Sequence, residues 1–188
     1  MTLALPSLVL AAVLSAVGTE PQWISDTDDP KWTGDVAAQP PLPKNTIWMR
    51  RTFRTESKEI VRASAEICGY GFCDVWINGQ AADPARRLSP PVTDYRFRNL
   101  SVVYDLSAFV RPGEDNTLGL WLSPGYSDDF SKYGWRWLLP KRAFGKLRID
   151  YADGTVQTVV TDANWEWTDR TPIVETSVYH GETYDATR

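Results

Sequence analysis

A single histidine serves the whole chain. His180 is the only imidazole available to a Ser-His-Asp arrangement, and a zinc site built from several histidines is excluded. We read His180 as a surface or interdomain residue. The chain also lacks any block of Lys and Arg, and its formal net charge is −4. Proteins that grip nucleic acid need basic clusters to displace counterions from phosphates, so no nucleic-acid partner is expected. There is no amphipathic helical pattern of useful length, no internal repeat and no low-complexity tract. The longest apolar run, Met1–Gly18, is too short for a comfortable membrane span.

That run ends in small residues and carries no Lys or Arg ahead of its apolar core. It reads as a secretory signal peptide, which implies a secreted or periplasmic product with no membrane attachment after processing. The expected organisation is then a signal segment over 1–18, a lead-in over 19–45 and a β-sandwich over 46–188. The lead-in is rich in Pro, Asp and Trp, with Trp23 and Trp32 as its expected anchors. A chain of 188 residues can bury a sizeable core as one domain. Nine Trp and eight Tyr are many for that size. Such rings fill sandwich cores, and their flat faces also stack on the C–H faces of sugars.

The strand pattern is period two. In Phe72-Cys-Asp-Val-Trp-Ile77, Cys73, Val75 and Ile77 share one side and Phe72, Asp74 and Trp76 the other. Asn78-Gly79 follows as a turn pair that tolerates positive φ. Thr46–Arg54, Ile60–Cys68, Val102–Leu106 and Thr117–Leu122 also read as strands, with Leu118, Leu120 and Leu122 on one face. Lys146–Tyr151 and Val156–Thr161 form a hairpin through Ala152-Asp-Gly-Thr155, and Trp165–Trp167 is one more short strand. Short strands at regular spacing argue an all-β, antiparallel β-sandwich of jelly-roll type. The chain ends on Gly181–Arg188 with no packing element after it, as in a domain cut from something longer.

Function in such folds sits in end loops or on one concave face. Ser123–Arg142 is the longest loop of the second half. It gathers Tyr126, Asp128, Asp129, Tyr133, Trp135 and Trp137, with Lys132 and Arg136 between them. Its aromatics suit a sugar ring; Asp128 and Asp129 suit sugar hydroxyls or Ca²⁺, which takes oxygen ligands. The bland alternative has Trp135 and Trp137 capping the core and the two aspartates in solvent. Asp74 reads as an exposed strand residue and Asn78 as a turn residue. Cys68 and Cys73 bracket Gly69-Tyr-Gly-Phe72, and two readings stand equal: a small disulfide across the bend, or two buried thiols on neighbouring strand ends. No hydrolase motif assigns a catalytic residue.

The ordered set of Trp23-Ile24, Gly69-Tyr-Gly, Phe72–Gly79, Tyr104-Asp-Leu, Pro112-Gly113 and Asn116–Leu122 continues in the second half. There it runs through Tyr151-Ala-Asp-Gly154, Thr161-Asp162, Trp165, Tyr179-His-Gly-Glu182 and Tyr184-Asp-Ala186. It resembles the N-terminal domain of bacterial-type α-L-rhamnosidases of glycoside hydrolase family 78. The resemblance implies a galactose-binding-like jelly-roll serving a multidomain inverting hydrolase. An (α/α)₆ barrel, absent from this chain, would then carry the acidic catalytic residues and act on L-rhamnose-containing glycans. Related modules bind L-rhamnose with Ca²⁺, so the resemblance also allows a lectin-like role. Gly125-Tyr126-Ser127 stands where the family often has Gly-Trp-Tyr, and Thr187 interrupts the usual final Asp-Ala-Arg. Two other readings remain open: a free-standing carbohydrate-binding module using Ser123–Arg142, and the sugar-binding domain of a β-galactosidase-like or β-glucuronidase-like enzyme.

Overall fold

A computed structural model describes residues 20–26, 44–95, 97–126 and 140–188. The first half supplies β1 (Ile47–Arg54), β2 (Ile60–Tyr70), β3 (Phe72–Ile77), β4 (Gln80–Ala81) and β5 (Ser101–Asp105). The second supplies β6 (Asp115–Ser123), β7 (Arg142–Tyr151), β8 (Val156–Val160), β9 (Glu166–Thr168), β10 (Ile173–Ser177) and β11 (Gly181–Tyr184). These form a five-stranded sheet in the order β4-β3-β6-β1-β9, a four-stranded sheet in the order β5-β2-β7-β8, and the separate hairpin β10-β11. Every pairing is antiparallel. The protein is an antiparallel β-sandwich of the jelly-roll class.

Alternation decides which side of each strand is dry. β6 buries Asn116, Leu118, Leu120 and Leu122, and β3 buries Cys73, Val75 and Ile77. A one-residue slip would turn either set out to water, so the hydrophobic pattern itself pins the register. The facing sheet offers smaller groups: Ala63 and Ala65 on β2 and Ala143 and Gly145 on β7 are buried beside Ile67, Leu147 and Ile149. Small residues on one sheet leave room for the Leu and Ile side chains of the other, which is how a thin sandwich reaches close packing.

The β3–β4 connection is a two-residue hairpin. Ile77 pairs with Gln80, and Asn78 and Gly79 have φ of 50° and 81°. Two successive positive φ values give the turn whose twist matches that of its strands. Asn78 does more than turn the chain. Its Nδ2 donates to Phe109 O at 2.9 Å and to Asn116 Oδ1 at 2.8 Å, and its Oδ1 accepts from Thr117 N at 2.9 Å. Asn116 is fully buried; its Oδ1 also accepts from Arg111 N, and its Nδ2 donates to Arg111 O and Glu114 O.

Three features depart from the sequence expectations. The lead-in is anchored by Ile24, which bridges Ala143 through two 2.9 Å backbone hydrogen bonds. Trp23 is 41% exposed and lies against Phe144, while Trp32 falls outside the described residues. Asp26 instead forms a buried ion pair with Lys141 at 3.1 Å. Trp165 is a core residue whose indole N–H donates to Val160 O, and the strand it was expected to begin starts one residue later. Gly181–Tyr184, not assigned to any strand from the sequence, is strand β11. The short polar run hides its strand character because all four of its residues are exposed, while its partner β10 is largely half-buried and takes backbone partners from Lys44 and Thr46.

Candidate functional site

The Ser123–Arg142 loop is described only at its roots. Asp128, Asp129, Tyr133, Trp135 and Trp137 lie outside the described residues, so the proposed sugar platform and calcium pair lie there too. Tyr126 is half-buried and meets the Phe72 ring edge-on at 5.5 Å. At the other root, Arg142 lies over the rings of Trp23 and Tyr70, and Tyr70 packs on Tyr95 at 4.2 Å. Both roots of the loop therefore lie on packed aromatic rings. Cys68 and Cys73 are both buried and both free thiols here. Burial pushes the Cys68 thiol up to about 11, with the Glu66 carboxylate adding to it, and burial pushes Cys73 higher still. His180 sits exposed at the β10–β11 turn, where its backbone N–H donates to Ser177 Oγ.

The outer face of the five-stranded sheet is the second aromatic gathering. The alternation that buries Val75, Leu120 and Met49 turns their neighbours outward. Strand register then lines them up in two rows. In one, Asp74 stands opposite Trp121, Trp121 opposite Trp48, and Trp48 opposite Thr168. In the other, Trp76 stands opposite Gly119, Gly119 opposite Arg50, and Arg50 opposite Glu166. Gly119 contributes no side chain, so the second row is interrupted at its centre. The gap is a hollow of about 450 Å³ walled by Trp48, Trp76 and Trp121. Trp48 and Trp121 meet edge to face at 5.7 Å. Trp48 is 43% exposed and Trp76 36%. The Arg50–Glu166 pair, 2.8 Å apart, closes the rim on the β9 side.

Trp121 also borders a larger hollow of about 650 Å³ between this sheet and the β10–β11 hairpin. Its lining is mixed: Phe72 and Ile173 are apolar, while Asp74, Arg87, Ser123, Thr176 and Glu182 bring polar groups. Asp74 has no hydrogen-bond partner among the described residues. Its tip reaches water, yet partial burial pushes its carboxyl up, with the Arg87 charge opposing. The Trp121 indole N–H is likewise without a partner among the described residues. A mixed hollow of this size with a few convergent polar groups is the usual form of a small-ligand site. Among the described residues no three His, Cys, Asp or Glu side chains are grouped to hold a metal.

The profile of the alpha-L-rhamnosidase N-terminal domain matches residues 58–188, more than half of the chain. This chain belongs to that family. It is 31% identical over 148 residues to an alpha-L-rhamnosidase of Streptomyces avermitilis, covering 78% of this chain and 14% of the relative. It is 28% identical over 160 residues to one from Formosa agariphila, covering 83% and 17%. The rhamnosidase N-terminal chain thus spans only a small fraction of those relatives' length. Among solved structures, it superposes on an alpha-L-rhamnosidase from Dictyoglumus thermophilum with TM-score 0.66 at 34% identity, covering 76% of this chain and 15% of that one. It also superposes on the Streptomyces avermitilis alpha-L-rhamnosidase complexed with L-rhamnose, with TM-score 0.68 at 30% identity over 77% of this chain and 14% of that one.

Sequence reasoning singled out Asp74 and Trp76 but not their neighbours. Trp48 and Trp121 lie 73 residues apart, and only the β1–β6–β3 register brings them and Gly119 together with Asp74 and Trp76. The available signal was the outward phase: each of these residues alternates with a buried apolar one.

Proposed function

We propose that this chain is the accessory β-sandwich of an enzyme that removes terminal α-L-rhamnose from glycans outside the cytoplasm, with the bond cleavage carried by another domain of its parent protein. One observation carries the reading. The chain matches a domain that makes up 14–17% of relatives named alpha-L-rhamnosidase, so most of each relative lies elsewhere. Family membership favours this reading over a β-galactosidase-like or β-glucuronidase-like one. The chemistry agrees. An inverting glycosidase needs an acid and a base across a cleft, about 6.5–9.5 Å apart, with room for water between them. Asp74 and Glu182 line one hollow, but among the described residues neither is held by a network that would fix it as acid or base. The apolar run at Met1–Gly18 supports export.

The test is hydrolysis of an aryl α-L-rhamnoside. The isolated chain is expected to release no chromophore above buffer, whereas a polypeptide that joins it to a rhamnosidase catalytic domain turns over. Activity that stays with the isolated chain through purification overturns the accessory reading.

A further inference from the structure

The geometry points to a saccharide-binding site on the outer face of the five-stranded sheet, separate from the Ser123–Arg142 loop. One pyranose ring lies over Gly119 between Trp76 and the Trp48–Trp121 pair. The next residue of the glycan passes Trp121 into the polar groove beside the β10–β11 hairpin.

Three observations choose a sugar. The first is the wall. An open sheet face that exposes Trp48 and Trp76 around a side-chain-free centre leaves flat π surfaces standing, which suits a pyranose whose axial C–H groups form an apolar face. The second is the floor. Gly weakens a strand interior, and where it persists it often marks a close approach by something else. A Cβ at Gly119 would meet Trp76 Cβ at 3.5 Å, an ordinary contact, so packing within the chain does not require glycine there. The third is Asp74. It is a partly desolvated carboxylate with no hydrogen-bond partner among the described residues, directly across from Trp121. An aliphatic protein surface laid on this face would bury that carboxylate without a hydrogen-bond donor, at a cost the Arg87 charge only partly offsets. Sugar hydroxyls would donate to it, and charge-assisted hydrogen bonds are among the stronger polar contacts. The two hollows share Trp121 and Asp74 lines the second, so ring stacking and hydroxyl recognition adjoin.

The experiment is calorimetric titration of the intact chain at millimolar sugar. The probes are methyl α-L-rhamnopyranoside, an α-L-rhamnosyl disaccharide and the methyl glycosides of glucose and galactose. Choosing rhamnose rests on the accessory-domain reading; the site itself does not. Gly119→Val fills the floor, keeps all three Trp and suits a strand, so it should abolish binding with no loss of thermal stability. Trp76→Ala should weaken binding about tenfold, the loss of one stacking face. Asp74→Asn should weaken the disaccharide more than the monosaccharide. Binding of a glucoside or galactoside alone, lost in Gly119→Val, upholds the site and counts against rhamnose. No heat with any probe overturns the site, and so does binding that Gly119→Val leaves intact.

Discussion

At Asn116 a single side chain ties the backbone of Arg111 and Glu114 to the Asn78 side chain. Its amide accepts from Arg111 N and Asn78 Nδ2 and donates to Arg111 O and Glu114 O, with no exposure to water. The carbonyls have other support: Arg111 O also accepts from Thr55 Oγ1, and Glu114 O from Thr55 N. Among the described residues, Arg111 N has no second acceptor. Replacement by Ala therefore strands chiefly one buried donor and opens a small cavity. We expect Asn116→Ala to lower stability by about 2–3 kcal/mol in urea unfolding. Asn116→Asp should not restore it, because a carboxylate cannot donate to the two carbonyls. In the sequence, Asn116 was visible only as the first residue of the Asn116–Leu122 segment. Its role depends on Asn78, 38 positions away, and short-range pattern carries no sign of that contact.

Among the elements, the passage from β2 to β3 carries the architecture, since it takes the chain from one sheet to the other. Gly71 makes the change with φ of 94°, and a Cβ there would lie 2.2 Å from Ser123 O and 2.7 Å from Pro124 O. Gly79 also has positive φ, yet nothing lies within 4 Å of its missing Cβ. The two glycines thus separate backbone strain from steric overlap. Gly79→Ala should cost about 1 kcal/mol, the strain alone. Gly71→Ala adds backbone overlap and should cost about 3 kcal/mol or more, or prevent folding. Paired chemical denaturation curves measure the difference, and equal effects would show that β3 can shift to relieve the clash. The Asn78-Gly79 turn was legible because the dipeptide defines its hairpin. β10 and β11 were not, because neither strand alternates between buried and exposed positions: β11 is exposed throughout and β10 is mostly half-buried.

Over the whole molecule, the two thiols report on cohesion between the sheets. Cys68 lies on β2 of the four-stranded sheet and Cys73 on β3 of the five-stranded sheet. Both are buried, Cys73 in the common core. Jelly-roll class and strand phases were readable because alternation is local; the pairing of sheets, and with it the setting of these thiols, required long-range contacts. Burial favours the neutral thiol, raising Cys68 to about 11 and Cys73 further, against an unfolded value of 9.0. A raised folded pKa means the unfolded chain releases these protons first. The stabilisation from burying neutral thiols is complete below pH 9 and declines as pH rises above it. In reduced protein, the melting temperature should therefore show no thiol-linked change between pH 6 and 8 and a fall above about pH 9. Replacing both cysteines by alanine should lower the starting stability but flatten that alkaline fall. At pH 8 an aromatic disulfide reagent should react slowly with both native thiols, and both rates should climb together across the urea transition. Fast reaction of Cys73 in the native state would mean that the two sheets part without global unfolding.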